Sequence, residues 1–221
     1  MLTPTRFNSS PLKIVVGQDE SAQTYINEDQ AAKFSNVIAA AVKGGFKEAQ
    51  EHTITFPEED PAMFKIFAGF IYSGSIHSFK PDDLTDNMDH ERRRLASLWI
   101  LGEKLQAPEF KDAVVDSLVE RIKSTGKVPR DMHQEIYPNS MGSPGMRRLV
   151  VDVGAWVWNK EELESTERKE QWSEFFFDLA VRLQSLVGAK RPVAPWRTDA
   201  GPGCLYHDHG SKKACYKTMF E

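Results

Sequence analysis

GGFKEAQEHTITFPEEDPAMFKIFAGFIYSG, residues 44–74, encodes a strand, a capped helix and a turn in succession. Thr53-Ile54-Thr55-Phe56 alternates polar and apolar residues, the pattern of a half-buried strand. Pro57, Glu58 and Glu59 end it, and Asp60-Pro61 then supplies an N-cap followed by a proline at the first helical position. Met63, Phe64, Phe67, Phe70 and Ile71 recur at helical spacing, so the helix must bury a broad aromatic face. Ser73-Gly74 closes it, glycine being free to adopt the left-handed cap conformation.

Working outward, Leu12 to Gly17 reads as a first strand and Gln23 to Ile26 as the returning strand of a hairpin. Asn27 caps a short helix, Glu28 to Phe34, and a second helix runs from about Asn36 to Val42 and stops at Gly44-Gly45. His77 to Arg94 is polar and reads as a loop. Leu95, Leu98, Trp99, Gly102 and Leu105 mark a helix; Pro108 opens the next, with Phe110, Val114, Leu118 and Ile122 every fourth residue before Gly126. The implied architecture is α+β, a small three-stranded sheet capped by paired helices. A helical extension follows. In it Ser143 caps and Pro144 starts a helix striped by Met146, Leu149, Val150, Val153, Trp156 and Val157. A further helix, roughly Glu167 to Val187, buries Trp172, Phe175, Phe176, Leu179, Leu183 and Leu186. The resulting division is an arm (1–11), a main domain (12–125), a linker (126–138), the helical extension (139–188) and an irregular tail (189–221).

The 221 residues are 40% hydrophobic and carry a net charge of −4, which suits a folded protein and argues against bulk nucleic-acid binding. Charge is uneven: residues 188–221 hold six Lys/Arg against three acids, so the tail carries +3 and the rest −7. MLTPTRFNSSPLK lacks the apolar core of a secretory signal, and the longest apolar run, Val37 to Val42, is far too short for a membrane span. With two cysteines and no disulfide framework, an intracellular location, cytoplasm or nucleus, is expected.

The order of elements from Leu12 to about Ser124 resembles the BTB/POZ interaction domain, whose members read "GxF.E … I.L … P..F…L.FIYTG" where this chain has residues 44–74. Gly142-Ser143-Pro144 with Arg147-Arg148-Leu149 and Val151-Asp152 is similar to the "GSP-x-RRL-x-VD" segment that follows the domain in fungal BTB proteins. The chain departs from the family pattern in two places: Ser10-Pro11 replaces an acidic residue before the first strand, and Asn27-Glu28 replaces a His-Lys pair. About eleven residues precede the first strand, so a short-form domain, without the exchanged N-terminal strand, is the closer analogy. The resemblance implies a non-enzymatic adaptor or scaffold that binds other proteins, itself or a heterologous BTB partner, and requires no cofactor.

Two motifs bear on chemistry. Phe46-Lys47-Glu48 sits where some BTB members carry a hydrophobic-x-Glu motif that docks a cullin scaffold of ubiquitin ligases. Phe46 would anchor and Glu48 set register; the alternative is that Phe46 packs beside Phe56 and Glu48 is solvated. The second motif holds both cysteines of the chain and two of its six histidines: Cys204, His207, His209 and Cys215. Four nitrogen and sulfur donors suit a structural, tetrahedral Zn²⁺, and a metal-closed loop can fold without a core. The alternative is a disordered tail with coincidental donors. Because no helix-forming insert separates the donor pairs, the spacing is not that of a DNA-reading finger. A zinc-containing nucleic-acid or chromatin binder using the basic tail is a second alternative function. No motif of a catalytic apparatus is present in the sequence.

Overall fold

β1 (Pro11–Val16) is the centre of the sheet and explains its order. In the computed structural model, which describes residues 10–18, 22–44, 47–78, 89–142, 144–165, 172–188, 193–197, 204–209 and 214–220, β1 is paired on both sides. β2 (Ala22–Asn27) runs antiparallel to it, with Leu12 opposite Ile26 and Ile14 opposite Thr24. β3 (Thr53–Phe56) runs parallel, with Ile14 opposite Ile54, giving the order β2-β1-β3. A strand covered on both faces needs a near-continuous apolar run. Leu12, Ile14, Val15 and Val16 supply it, and all four are buried. The protein is therefore α+β, a small mixed sheet with ten α-helices among the described residues.

Parallel pairing of β1 and β3 demands a crossover, and helices fill it. The Asn27 side chain accepts from the Gln30 amide to cap α1 (Glu28–Phe34). Ser35 caps α2 (Asn36–Lys43) by accepting from Ile38 N, and its hydroxyl donates to the Leu105 carbonyl, fixing the crossover on the later helices. α3 (Lys47–Glu51) is an exposed turn of helix that the sequence pattern does not announce, because it buries nothing.

α4 (Pro61–Ser73) forms as its sequence dictates. Asp60 Oδ1 accepts from Ala62 N at 2.7 Å, Pro61 opens the first turn, and Gly74 closes the helix at φ 70°. Phe64, Phe67, Phe70 and Ile71 are fully buried, at about 1.5–3 kcal/mol of transfer free energy each. Phe67 meets Phe110 edge-on at 5.1 Å, which ties α4 to the helix that Pro108 opens. α5 (Asp89–Lys104) and α6 (Pro108–Thr125) pair as expected, but α5 begins inside the stretch read as a polar loop. Its first turns are charged yet partly buried: Glu91 lies 2.7 Å from Arg121, and Arg92 lies 3.1 Å from both Asp131 and Glu135. Paired charges hid the first turns of a helix whose later turns apolar periodicity reveals.

The stretch read as a linker, 126–138, contains α7 (His133–Ile136), followed by a 3-10 turn at Tyr137–Asn139. His133, 2% exposed, stacks on Phe175 with ring centroids 4.5 Å apart, between the edges of Trp158 and Trp172. α8 (Gly145–Val157), α9 (Lys160–Ser165) and α10 (Ser173–Ser185) complete this second, aromatic-rich layer, with α10 packed on α8. α10 starts later than the apolar spacing suggests, and residues 166–171 lie outside the described residues. Buried Arg147 joins the layer together: it donates to the Tyr137 and Ser140 carbonyls and the Ser140 hydroxyl, and pairs with Glu174. Ser143, read as the cap of α8, lies outside the described residues; the helix begins at Gly145, whose amide donates to Asp208 Oδ1 at 2.6 Å.

That bond comes from the tail. Its described residues hold only 3-10 turns, Pro195–Arg197 and Tyr216–Met219, yet they are packed on the body. Trp196 is 2% exposed, and Tyr206 and Tyr216 are buried. The Phe220 ring stacks on Phe34 at 5.4 Å and meets Phe70 at 5.7 Å. No helix among the described residues is long and apolar enough to cross a membrane.

Candidate metal centre

A turn assembles the first half of the site. The His207 amide donates to the Cys204 carbonyl at 3.1 Å, so the chain doubles back through Leu205 and Tyr206 and brings two donor side chains to one side. His209 follows in an irregular segment, where a two-residue step can return a side chain to the same side. Cys215 enters just before the Tyr216–Met219 turn. The donor atoms of Cys204, His207, His209 and Cys215 all lie within 4.8 Å of one another.

Two of the separations inside the set match a metal's demand. A tetrahedral zinc ion with bonds near 2.05 Å to nitrogen and 2.3 Å to sulfur sets nitrogen–nitrogen edges of about 3.3 Å and sulfur–nitrogen edges of about 3.6 Å. His207 Nδ1 is 3.3 Å from His209 Nε2, and Cys215 Sγ is 3.6 Å from His207 Nδ1. The donor chemistry, two thiols and two imidazoles, is that of structural zinc. Both cysteines are free thiols. Burial, together with a hydrogen bond to Cys215, pushes the Cys204 thiol up to about 11, so an incoming ion must displace its proton.

The tail's backbone is pinned from two directions. On α6, Asp112 accepts from the Asp208 amide at 2.7 Å, and Asp116 takes the Tyr216 hydroxyl at 2.7 Å and Lys217 Nζ at 2.9 Å. At the start of α8, Arg148 donates to the His207 carbonyl, while Asp208 caps Gly145 and lies 3.3 Å from Lys111. Tyr206 donates to Asp152 further along α8. His207, 4% exposed, is the donor residue most enclosed by these contacts. Its Nε2 lies 2.9 Å from Asp116 Oδ1, close in distance although off the ideal hydrogen-bond line.

Electrostatics divide the two α6 carboxylates. Burial pushes Asp112 up to about 6, against the Asp208 amide that draws it down. Burial also acts on Asp116, but the close approach of His207, Lys217 and the Tyr216 hydroxyl outweighs it and holds that carboxyl below its ordinary value. Asp116 is thus the more firmly ionised of the two carboxylates beside the cluster, Asp112 Oδ2 lying 3.9 Å from His207 Nδ1.

Neither a protein-family model nor a curated protein matches this chain.

All four residues singled out in the sequence as metal donors come together. Asp112, Asp116 and Asp208 were missed. The signal was present for two of them: Asp112 and Asp116 are one turn apart on a helix whose apolar stripe includes Phe110, Ala113 and Val114, and an acid that helical phase puts beside such a stripe requires a partner. Nothing in α6 says that the partner lies about a hundred residues away. Of the pair read as a cullin-docking motif, Phe46 lies outside the described residues, and Glu48 is exposed in the first turn of α3.

Proposed function

We propose that this chain is a non-enzymatic protein-interaction module of the BTB/POZ kind, whose C-terminal tail is folded by a structural zinc ion and fastened to the main domain. The order of elements supports the first part: a hairpin, two helices, a third strand, an aromatic helix and a helix pair follow one another as the resemblance implies. The observation that carries the second is the convergence of Cys204, His207, His209 and Cys215 with nitrogen–nitrogen and sulfur–nitrogen separations of 3.3 and 3.6 Å. Four protein donors fill a tetrahedral ion, and an ion so filled acts as a staple, with no position for substrate.

Elemental analysis after purification without chelators should return about one zinc per chain, and a Cys204→Ser, Cys215→Ser chain should return none. Cobalt substitution then reads the coordination: a tetrahedral, two-thiolate spectrum fits the staple, whereas a five-coordinate spectrum with bound water overturns the structural role. Titration against a cullin N-terminal fragment sorts the partners. Binding that Glu48→Ala weakens assigns the chain to cullin adaptors, and no binding leaves self-association or other protein partners.

A further inference from the structure

The four donors span only Cys204 to Cys215, so an ion by itself would organise the tail and nothing else. His207 is the exception, because its ring is closely approached at both nitrogens. Nδ1 points into the donor set, 3.3 Å from His209 Nε2 and 3.6 Å from Cys215 Sγ, and Nε2 lies 2.9 Å from Asp116 Oδ1 on α6. The ring is buried, which leaves water little access to compete for either nitrogen.

We propose that Asp116 is the positioning residue of the metal centre: it holds His207 as the Nε2–H tautomer, presents Nδ1 to the ion, and so couples ion binding in the tail to helix α6. This rests on the zinc reading above. A carboxylate on the outer nitrogen of a ligating imidazole fixes the ring's tautomer and raises its basicity, and losing such a partner commonly weakens metal affinity 10–100-fold. Here the same carboxylate also receives the Tyr216 hydroxyl and Lys217 Nζ, the two residues that follow Cys215. One side chain of the body therefore meets the ligand loop at its second donor and again just past its last. Asp112, one turn earlier, takes the amide of Asp208, between the two histidine ligands. The chain beyond Tyr216 then lies along Phe34 and Phe70 through Phe220. Binding of the ion and docking of Tyr216–Phe220 are linked, and linkage is reciprocal: whatever loosens one loosens the other.

The test uses the full chain loaded with zinc. In the wild type, long-range ¹⁵N–¹H correlation should show His207 with metal on Nδ1 and a proton on Nε2. Chelator competition should give Asp116→Ala a zinc affinity 10–100-fold below wild type, with Asp116→Asn, which keeps one acceptor oxygen, in between. Amide exchange across Tyr216–Phe220 should slow on zinc addition in wild type and respond much less in Asp116→Ala. Metal on Nε2, or an unchanged affinity in Asp116→Ala, overturns the assignment even if zinc binds. If Asp116→Ala does not fold, the wild-type tautomer still decides. A wild type that binds no zinc defeats the staple reading itself, a different failure with a different readout.

Discussion

A Cβ placed on Gly145 would lie 1.6 Å from the carbonyl oxygen of Tyr206. The tail's ligand turn therefore rests directly on the first residue of α8, and no side chain can stand between them. Backbone is the obstacle, and backbone cannot swing away as a flexible side chain can. Alanine is otherwise the better helix former, so an isolated α8 would welcome Gly145→Ala. In the whole protein the change should cost about 1–3 kcal/mol and weaken zinc binding, by pushing Tyr206 and His207 off the body. Thermal unfolding with and without zinc measures both effects; a stabilised variant with normal zinc affinity would contradict the close approach.

Gly74 and Gly126 offer a controlled comparison. Both end helices in the left-handed conformation, at φ 70° and 69°, so an alanine meets the same backbone penalty, about 1–2 kcal/mol, at each. They differ in surroundings: a Cβ on Gly126 meets nothing within 4 Å, while one on Gly74 would come within 2.5 Å of the Phe220 ring. Gly74→Ala should be the more destabilising of the two in denaturant titrations. Adding Phe220→Ala to both should bring their costs together. Equal costs in the unaltered chain would mean that Phe220 does not press on this helix end.

His133 should give the protein an acid-sensitive step. Burial among Phe175, Trp158 and Trp172 disfavours its charged form and lowers its pKa, with nearby Asp131 opposing. Below about pH 6.5 the unfolded chain takes up this proton while the folded chain resists it, so stability falls as pH drops through that value and continues to fall towards the lower folded pKa. His133→Phe keeps a flat ring against Phe175 and removes the proton. Its melting temperature should fall less than that of wild type between pH 8 and 5. Parallel curves would assign the acid sensitivity elsewhere.

Zinc affinity should rise with pH. With the Cys204 thiol pushed up to about 11 by burial and by Cys215, it carries its proton throughout the neutral range, and the ion must expel it. Each proton released makes apparent affinity change about tenfold per pH unit, weaker on the acid side. Competition with a chelator of known proton dependence, run at pH 6, 7 and 8, gives the slope; a flat profile would mean that no thiol proton is displaced.

What could be read from residue order follows a physical division. Local signals were sufficient for β3, for the Asp60 and Gly74 caps of α4, and for the four donors of the tail, since each depends on neighbours a few positions away. α3 was silent because an exposed turn of helix needs no apolar stripe. The start of α5 was obscured because Glu91 and Arg92 are buried as charge pairs with Arg121, Asp131 and Glu135, an arrangement that resembles solvated polarity in one dimension. Capping of α8 by Asp208 and the facing of His207 by Asp116 join residues 63 and 91 positions apart, and no local pattern encodes such a meeting. The tail, read as irregular, is irregular in its backbone but is anchored by long-range contacts.

The sheet's connectivity also sets an order of events in folding. β1 and β2 are joined by a short reversal and can zip together early, from neighbouring chain. β3 reaches β1 only after the helices α1, α2 and α3 that intervene, so its parallel ladder is a late, entropically demanding closure. Changes in the Asn27 and Ser35 caps of that crossover should thus act on the speed of assembly, whereas changes in the tail should act on how long the finished protein survives.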